Sequence, residues 1–236
     1  GEGNLQDAKM EQIADHGNGQ YAYIDNLLEA RKVLVHELGG TLFTLAKDVK
    51  IQVEFNPARV RAYRLIGYEN RMLAAEDFTD DKKDAGEIGA GHSVTALYEV
   101  IPVGAETDVV VRVPDSLRYQ QPGTQRTEAG GSGGSELLYV KIRYKPRDAE
   151  RSRQLAHAVP DQTTRSPSAD FRFQTAVAEF GLLLRGSEHR GAADIGRVIA
   201  TARGALGEDP EGYRVEFVRL ARAAQTLGAG RASETP

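Results

Sequence analysis

Residues 137–145 read LLYVKIRYK. Leu138, Val140, Ile142 and Tyr144 alternate with Tyr139, Lys141, Arg143 and Lys145, the period of two by which a strand turns one face to a core and the other to water. Downstream, Arg153 to Val159 follows after a short polar turn and predicts a hairpin partner. Upstream, Val49, Ile51, Val53 and Phe55 alternate with Lys50, Gln52 and Glu54, and Asn56-Pro57 ends the run. The odd-numbered residues are therefore expected in a core and the even-numbered ones in water. Val60 to Tyr68, His92 to Val103 and Val109 to Val113 read as further strands, and the glycine-rich Pro114 to Ser135, with GGSGG at 130–134, reads as a loop. Short strands divided by turn signals predict an antiparallel, sandwich-like core rather than a parallel sheet.

Both flanks change period. On the N-terminal side, Met10, Ile13 and Ala14 have helical spacing, and Gly17-Asn18-Gly19 supplies the residues that stop a helix. Gln20 to Ile24 (QYAYI) then predicts a short strand. A second helix follows, capped by Asp25 or Asn26, striped by Leu27, Ala30, Leu34 and Leu38, and closed by Gly39-Gly40. On the C-terminal side, Pro160 to Ser168 is a break rich in Ser, Thr and Pro. Three helical stripes come after it: Phe173, Val177, Phe180 and Leu184; Ile195, Val198, Ala202 and Leu206; Tyr213, Phe217, Leu220, Ala224 and Leu227. Such short helices must pack on one another or on the sheet. The fold class expected is α+β.

Acidic and basic residues are interspersed at a net charge of -4, so there is no basic face to neutralise phosphates, and nucleic acid is not an expected partner. No apolar run approaches the roughly 20 residues of a spanning helix. The chain has no cysteine, which removes disulfides, thiol nucleophiles and thiolate metal sites together.

Two pattern matches fail on context. Gly17 to Ala22 fits a dinucleotide fingerprint, yet it closes a helix and opens a strand, the reverse of what that motif requires. Gly130 to Gly134 fits a nucleophile elbow, which needs a rigid strand-to-helix turn that a flexible linker does not supply. The histidines His16, His36, His92, His157 and His189 are too scattered for a zinc motif. One acidic cluster is a candidate cation loop: Asp77, Asp80, Asp81, Asp84 and Glu87, followed by Gly89, Gly91 and His92. Carboxylates on a glycine-containing loop are the ligands a hard cation takes, although Lys82 and Lys83 offset part of the charge. No catalytic residues are assigned, and the expected chemistry is not enzymatic; the alternative is a cation-dependent enzyme or calcium-binding module using Asp77 to His92.

The stretch GNLQDAKMEQIADHGNGQYAYIDNLLEARKVLV (3–35) resembles the last helix, edge strand and final helix of a bacterial von Willebrand factor type A domain. FNPARVRAYRLIGYENRMLAAEDF (55–78), DAGEIGAGHSVTALYEVIP (84–102), LLYVKIRYKP (137–146) and FQTAVAEFGLLLR (173–185) resemble the uncharacterised C-terminal region of bacterial proteins of the YfbK type. The resemblance implies a truncated α/β remnant over 1–38, a sandwich-like domain over 39–160 and a helical region over 161–236. Type A domains bind through magnesium or manganese held by an Asp-x-Ser-x-Ser loop. No such loop occurs in these residues, and the family order places it before Gly1, so no cofactor is expected in this chain. The resemblance further implies a protein-interaction or assembly module of a bacterial envelope protein, periplasmic or lipid-anchored, with a cytoplasmic location as the alternative. A protein partner is expected, together with self-association through residues 1–38, where the strand at 20–24 and the leucines after it lack the sheet they would join.

Overall fold

The structure, a computed structural model, describes residues 6–17, 19, 21–38, 43–67, 73, 75–83, 85–106, 135–162 and 166–232. Asp84, the strand expected at Val109 to Val113, nearly all of the loop expected at Pro114 to Ser135, and Gly39-Gly40 lie outside them. The fold is α+β with antiparallel sheet and C-terminal helices. It divides into two compact units. One comprises residues 1–63, 70–95 and 100–161, the other 64–69, 96–99 and 162–236.

In the first unit α1 (Asp7–His16) ends where the Gly17 and Gly19 amides donate to the Ala14 carbonyl. The strand expected at 20–24 is absent over its described residues, Tyr21 to Ile24, which have no regular structure. A strand exists only through a neighbour's ladder, and these residues have none. The Tyr21 hydroxyl instead donates to Asp7, whose carboxylate raises the phenol to a pKa of about 12. Asn26 accepts the Glu29 amide at 2.9 Å and caps α2 (Leu27–Arg31). The following turn, Lys32–His36, widens to π spacing.

The sheet is built from β1 (Thr44–Phe55), β3 (Gly86–Gly89), β5 (Glu136–Pro146) and β6 (Arg153–Pro160) in the order β3-β1-β5-β6. Every pairing is antiparallel. The expected β5–β6 hairpin is present. β2 (Val60–Ile66) and β4 (Leu97–Pro102) form a separate two-stranded ribbon; β4 is the C-terminal half of the strand expected at 92–103. The strand at Gly86–Gly89 was not expected, being too short and glycine-rich for a visible alternation. Lys47 pairs with Lys145 but Lys50 pairs with Arg143, so β1 carries one extra residue there, a bulge. Asp48 sits in it at φ 52°, a left-handed conformation that Asp tolerates better than most residues.

The second unit holds α3 (Ala169–Leu184), α4 (Ile195–Arg203) and α5 (Tyr213–Ala232). Ser168 caps α3 by accepting the Phe171 amide, and Asp194 caps α4 by accepting that of Arg197. Their core is Ala176, Val198, Ile199, Ala202, Val218 and Ala221, with Phe173, Phe180 and Phe217 against it. Phe217 meets the other two rings edge-on at 5.4 and 5.5 Å, an arrangement that favours quadrupole attraction. Arg214 fastens the three helices together. It donates to the Ala205 and Leu206 carbonyls at 3.1 Å, pairs with Asp170, and lies 5.0 Å from the Phe173 ring. The expected stripes are rotated in two helices: Val177, Leu184, Leu220 and Leu227 are exposed, while the alanines beside them are buried.

Candidate functional site

The antiparallel register gives the sheet two chemically opposite faces. Ile51, Ile142 and Leu155 stand in one row across β1, β5 and β6; Val53, Val140 and His157 form the next, and Phe55, Leu138 and Val159 the third. The opposite face carries the rows Lys50, Arg143, Gln154 and Gln52, Lys141, Ala156. Period-two side chains on paired strands must segregate in this way.

The coverage of these faces departs from what alternation predicts. Lys50, expected in water, is 2% exposed, whereas Ile51, expected in a core, is 46% exposed, and Leu155 in the same row is 57% exposed. The reason is the acidic segment. The single 3-10 turn Ala75–Phe78 and residues 79–83 lie over the polar face, with Phe78 buried. The Lys50 ammonium donates to the Asp77 carbonyl at 3.2 Å and to that of Asp80. These bonds are what allow a charged group to be taken out of water.

The described candidate cation ligands are engaged by groups of the chain itself. Asp81 accepts from Arg143 at 2.9 and 3.2 Å and from the Ser152 hydroxyl. The Ser152 hydroxyl, then the guanidinium, hold its carboxyl down at a pKa of about 2. Lys145 donates to the Asp81 carbonyl at 2.9 Å and pairs with Asp48 at 2.5 Å. The hydrogen bond to Asp48 raises the Lys145 pKa above its ordinary value. Asp77 lies 3.4 Å from the Lys83 ammonium, the Asp80 carboxylate accepts the Lys82 amide at 2.9 Å, and Glu87 accepts the Thr44 hydroxyl at 3.2 Å. Among the described residues no group of three or more His, Cys, Asp or Glu is arranged to hold a metal ion. The segment is thus a clasp that ties the turn to β1 and β5. Lys50, Arg143, Lys145 and Ser152 complete it; sequence reasoning missed their part because each lies far along the chain from the acids it meets.

The clasp covers the Lys50 and Arg143 part of the polar face, and the opposite face is apolar with one end open. Tyr63 of β2 lies over the Phe55 end of the face, ring centroids 4.4 Å apart, and Phe55 is buried. The other end, the Ile51, Ile142 and Leu155 row, keeps two of its three large side chains in water. Among the described residues no helix is long and apolar enough to cross a membrane.

The model of the family described as "Uncharacterized protein YfbK, C-terminal" matches residues 40–227. The chain is 45% identical over 220 residues to the uncharacterised protein YfbK of Escherichia coli (strain K12), a match covering 93% of this chain and 37% of that protein. The chain therefore spans about 37% of the length of the curated relative it matches. No solved structure matches it.

Proposed function

The chain belongs to the family of the YfbK C-terminal region, and from that premise we propose that it is a non-catalytic protein-interaction or assembly module. The observation that carries this reading is the open apolar row on the sheet. Ile51 and Leu155 stand side by side with Ile142 on rigid strands. Apolar surface left in water forgoes about 25 cal/mol per Å², and a contiguous patch on a rigid element is what a protein partner covers. The clasp supports the same reading over a cation-dependent enzyme, because Arg143 and Lys83 pair with Asp81 and Asp77, while the Asp80 and Glu87 carboxylates accept an amide and a hydroxyl of the chain itself.

In the longer protein we place this module after a von Willebrand factor type A domain, of which residues 1–38 form the end, followed by a sandwich-like unit over 39–160 and helices over 161–236. Magnesium or manganese would belong to that preceding domain. Exposed Ile13, Leu27, Leu34 and Val35 fit a segment whose sheet lies elsewhere. The location proposed is the bacterial envelope.

The test is retention from envelope extract by the immobilised chain, compared with the double variant Ile51→Lys and Leu155→Lys. A protein retained by the wild type and lost with the variant is the expected outcome. Equal retention by both, or none by either, refutes the reading.

A further inference from the structure

We propose that this module pairs with a second copy of the chain, antiparallel along β6 across a two-fold axis at His157. The proposal rests on the interaction-module reading and names its partner. β6 ends the sheet, and among the described residues it pairs with β5 alone. It is 8 residues long, and its pairing with β5 is unbroken from Leu138↔Val159 to Tyr144↔Arg153. Sheet edges are ordinarily protected by shortness, bulges, lysines or an interior proline. The other edge has such devices: β3 is 4 residues long, breaks register twice against β1 and carries Glu87. Gln154 to Val159 (QLAHAV) has no bulge, no Lys, Asp or Glu, and no proline before Pro160.

Charge selects the occupant and the register. Arg153 opens β6, and Asp161 continues its line, the Asp161 amide donating to the Ser135 carbonyl at 2.8 Å. A two-fold axis perpendicular to the sheet keeps each face continuous, so opposed residues must share a face. Centred on His157, the register sets Leu155 against the partner subunit's Val159 and Arg153 against the partner subunit's Asp161, at both ends of the seam. Centring on Ala158 would put Leu155 against the partner subunit's Asp161; centring on Ala156 would leave Arg153 against the partner subunit's Val159. Only the His157 register matches apolar with apolar and cation with anion. Asp161 also lies 3.7 Å from Arg59, and its second oxygen can serve the incoming guanidinium. The row Ile51, Ile142, Leu155 then runs on into the partner's sheet.

Sedimentation equilibrium over a concentration series tests this on the whole chain, with circular dichroism as the check that each variant folds. The wild type should be dimeric. Leu155→Lys, which sets an ammonium against the partner's Val159, and Arg153→Asp, which opposes two carboxylates, should each raise the dimer dissociation constant roughly tenfold or more. The double variant Arg153→Asp, Asp161→Arg restores opposite charges only across the seam, so it should recover the dimer. A wild-type chain that stays monomeric at its highest soluble concentration overturns the proposal, as does a dimer unmoved by Leu155→Lys or a charge swap that fails to rescue. A monomer that still retains an envelope protein lost with the Ile51, Leu155 variant would overturn the second copy and leave the interaction module standing.

Discussion

Asp81 shows what single residues do here. It is one of five acids whose crowding suggests a cation loop, and it lies against Arg143 and Ser152, 62 and 71 positions away. Spacing along a chain reveals an i,i+3 or i,i+4 partner; it says nothing of one brought in by tertiary folding, so the acids were legible and their partners were not. Its depressed pKa has a thermodynamic sign. The unfolded chain binds this proton near pH 3.9, the usual value for Asp, whereas the folded chain binds it only near pH 2. Asp81 therefore contributes its stabilisation in full above the unfolded value and loses it as pH falls from about 4 through 2. Thermal unfolding of Asp81→Asn across that range should show a lower melting temperature at neutral pH and a shallower acid slope than the wild type. Parallel curves for the two proteins would mean that Asp81 is not linked to folding.

At the scale of elements, the sequence is most readable where a strand is laddered along its whole length. The alternation in β5 and the end of β1 survives into the fold because both strands are laddered along their length. Alternation says which face is apolar but not which face is covered, and so Lys50 and Ile51 exchange their expected environments. At 21–24 an aromatic strand pattern with no partner strand among the described residues gives no strand. In the helices the missed signal is small side chains. Ala176 and Ala221, outside the expected stripes, join Ala202 in letting the three helices approach closely, which turns the larger Val177, Leu184, Leu220 and Leu227 outward. Val198→Ala, at a position with 0% exposure, should cost about 2–3 kcal/mol from lost burial plus the cavity it leaves. Leu227→Ala, at 72% exposure, should stay within about 0.5 kcal/mol. Chemical denaturation of the two variants checks this; equal losses would place Leu227 in a core.

For the whole molecule, the account gives the two faces of one sheet opposite duties. The acidic turn covers the Lys50 and Arg143 part of the polar face, and the Ile51 and Leu155 end of the apolar face stays in water, where the proposed partner would bind. A monomeric folding domain would be expected to do the reverse, since covering Ile51 and Leu155 is favourable and burying Lys50 is costly without its two carbonyl acceptors. The same sheet was foreseeable from the alternation at 137–145. The identity of its open face was not, because that depends on where residues 75–83 return. The most direct measurement is photo-crosslinking in the cell that makes the protein, with a benzoylphenylalanine placed singly at Ile51, at Leu155 and at Gln52 on the polar face. The proposed interaction predicts discrete protein adducts from positions 51 and 155, a second copy of the chain among those from 155, and none from position 52. Adducts from position 52 alone, or from none of the three, would contradict it.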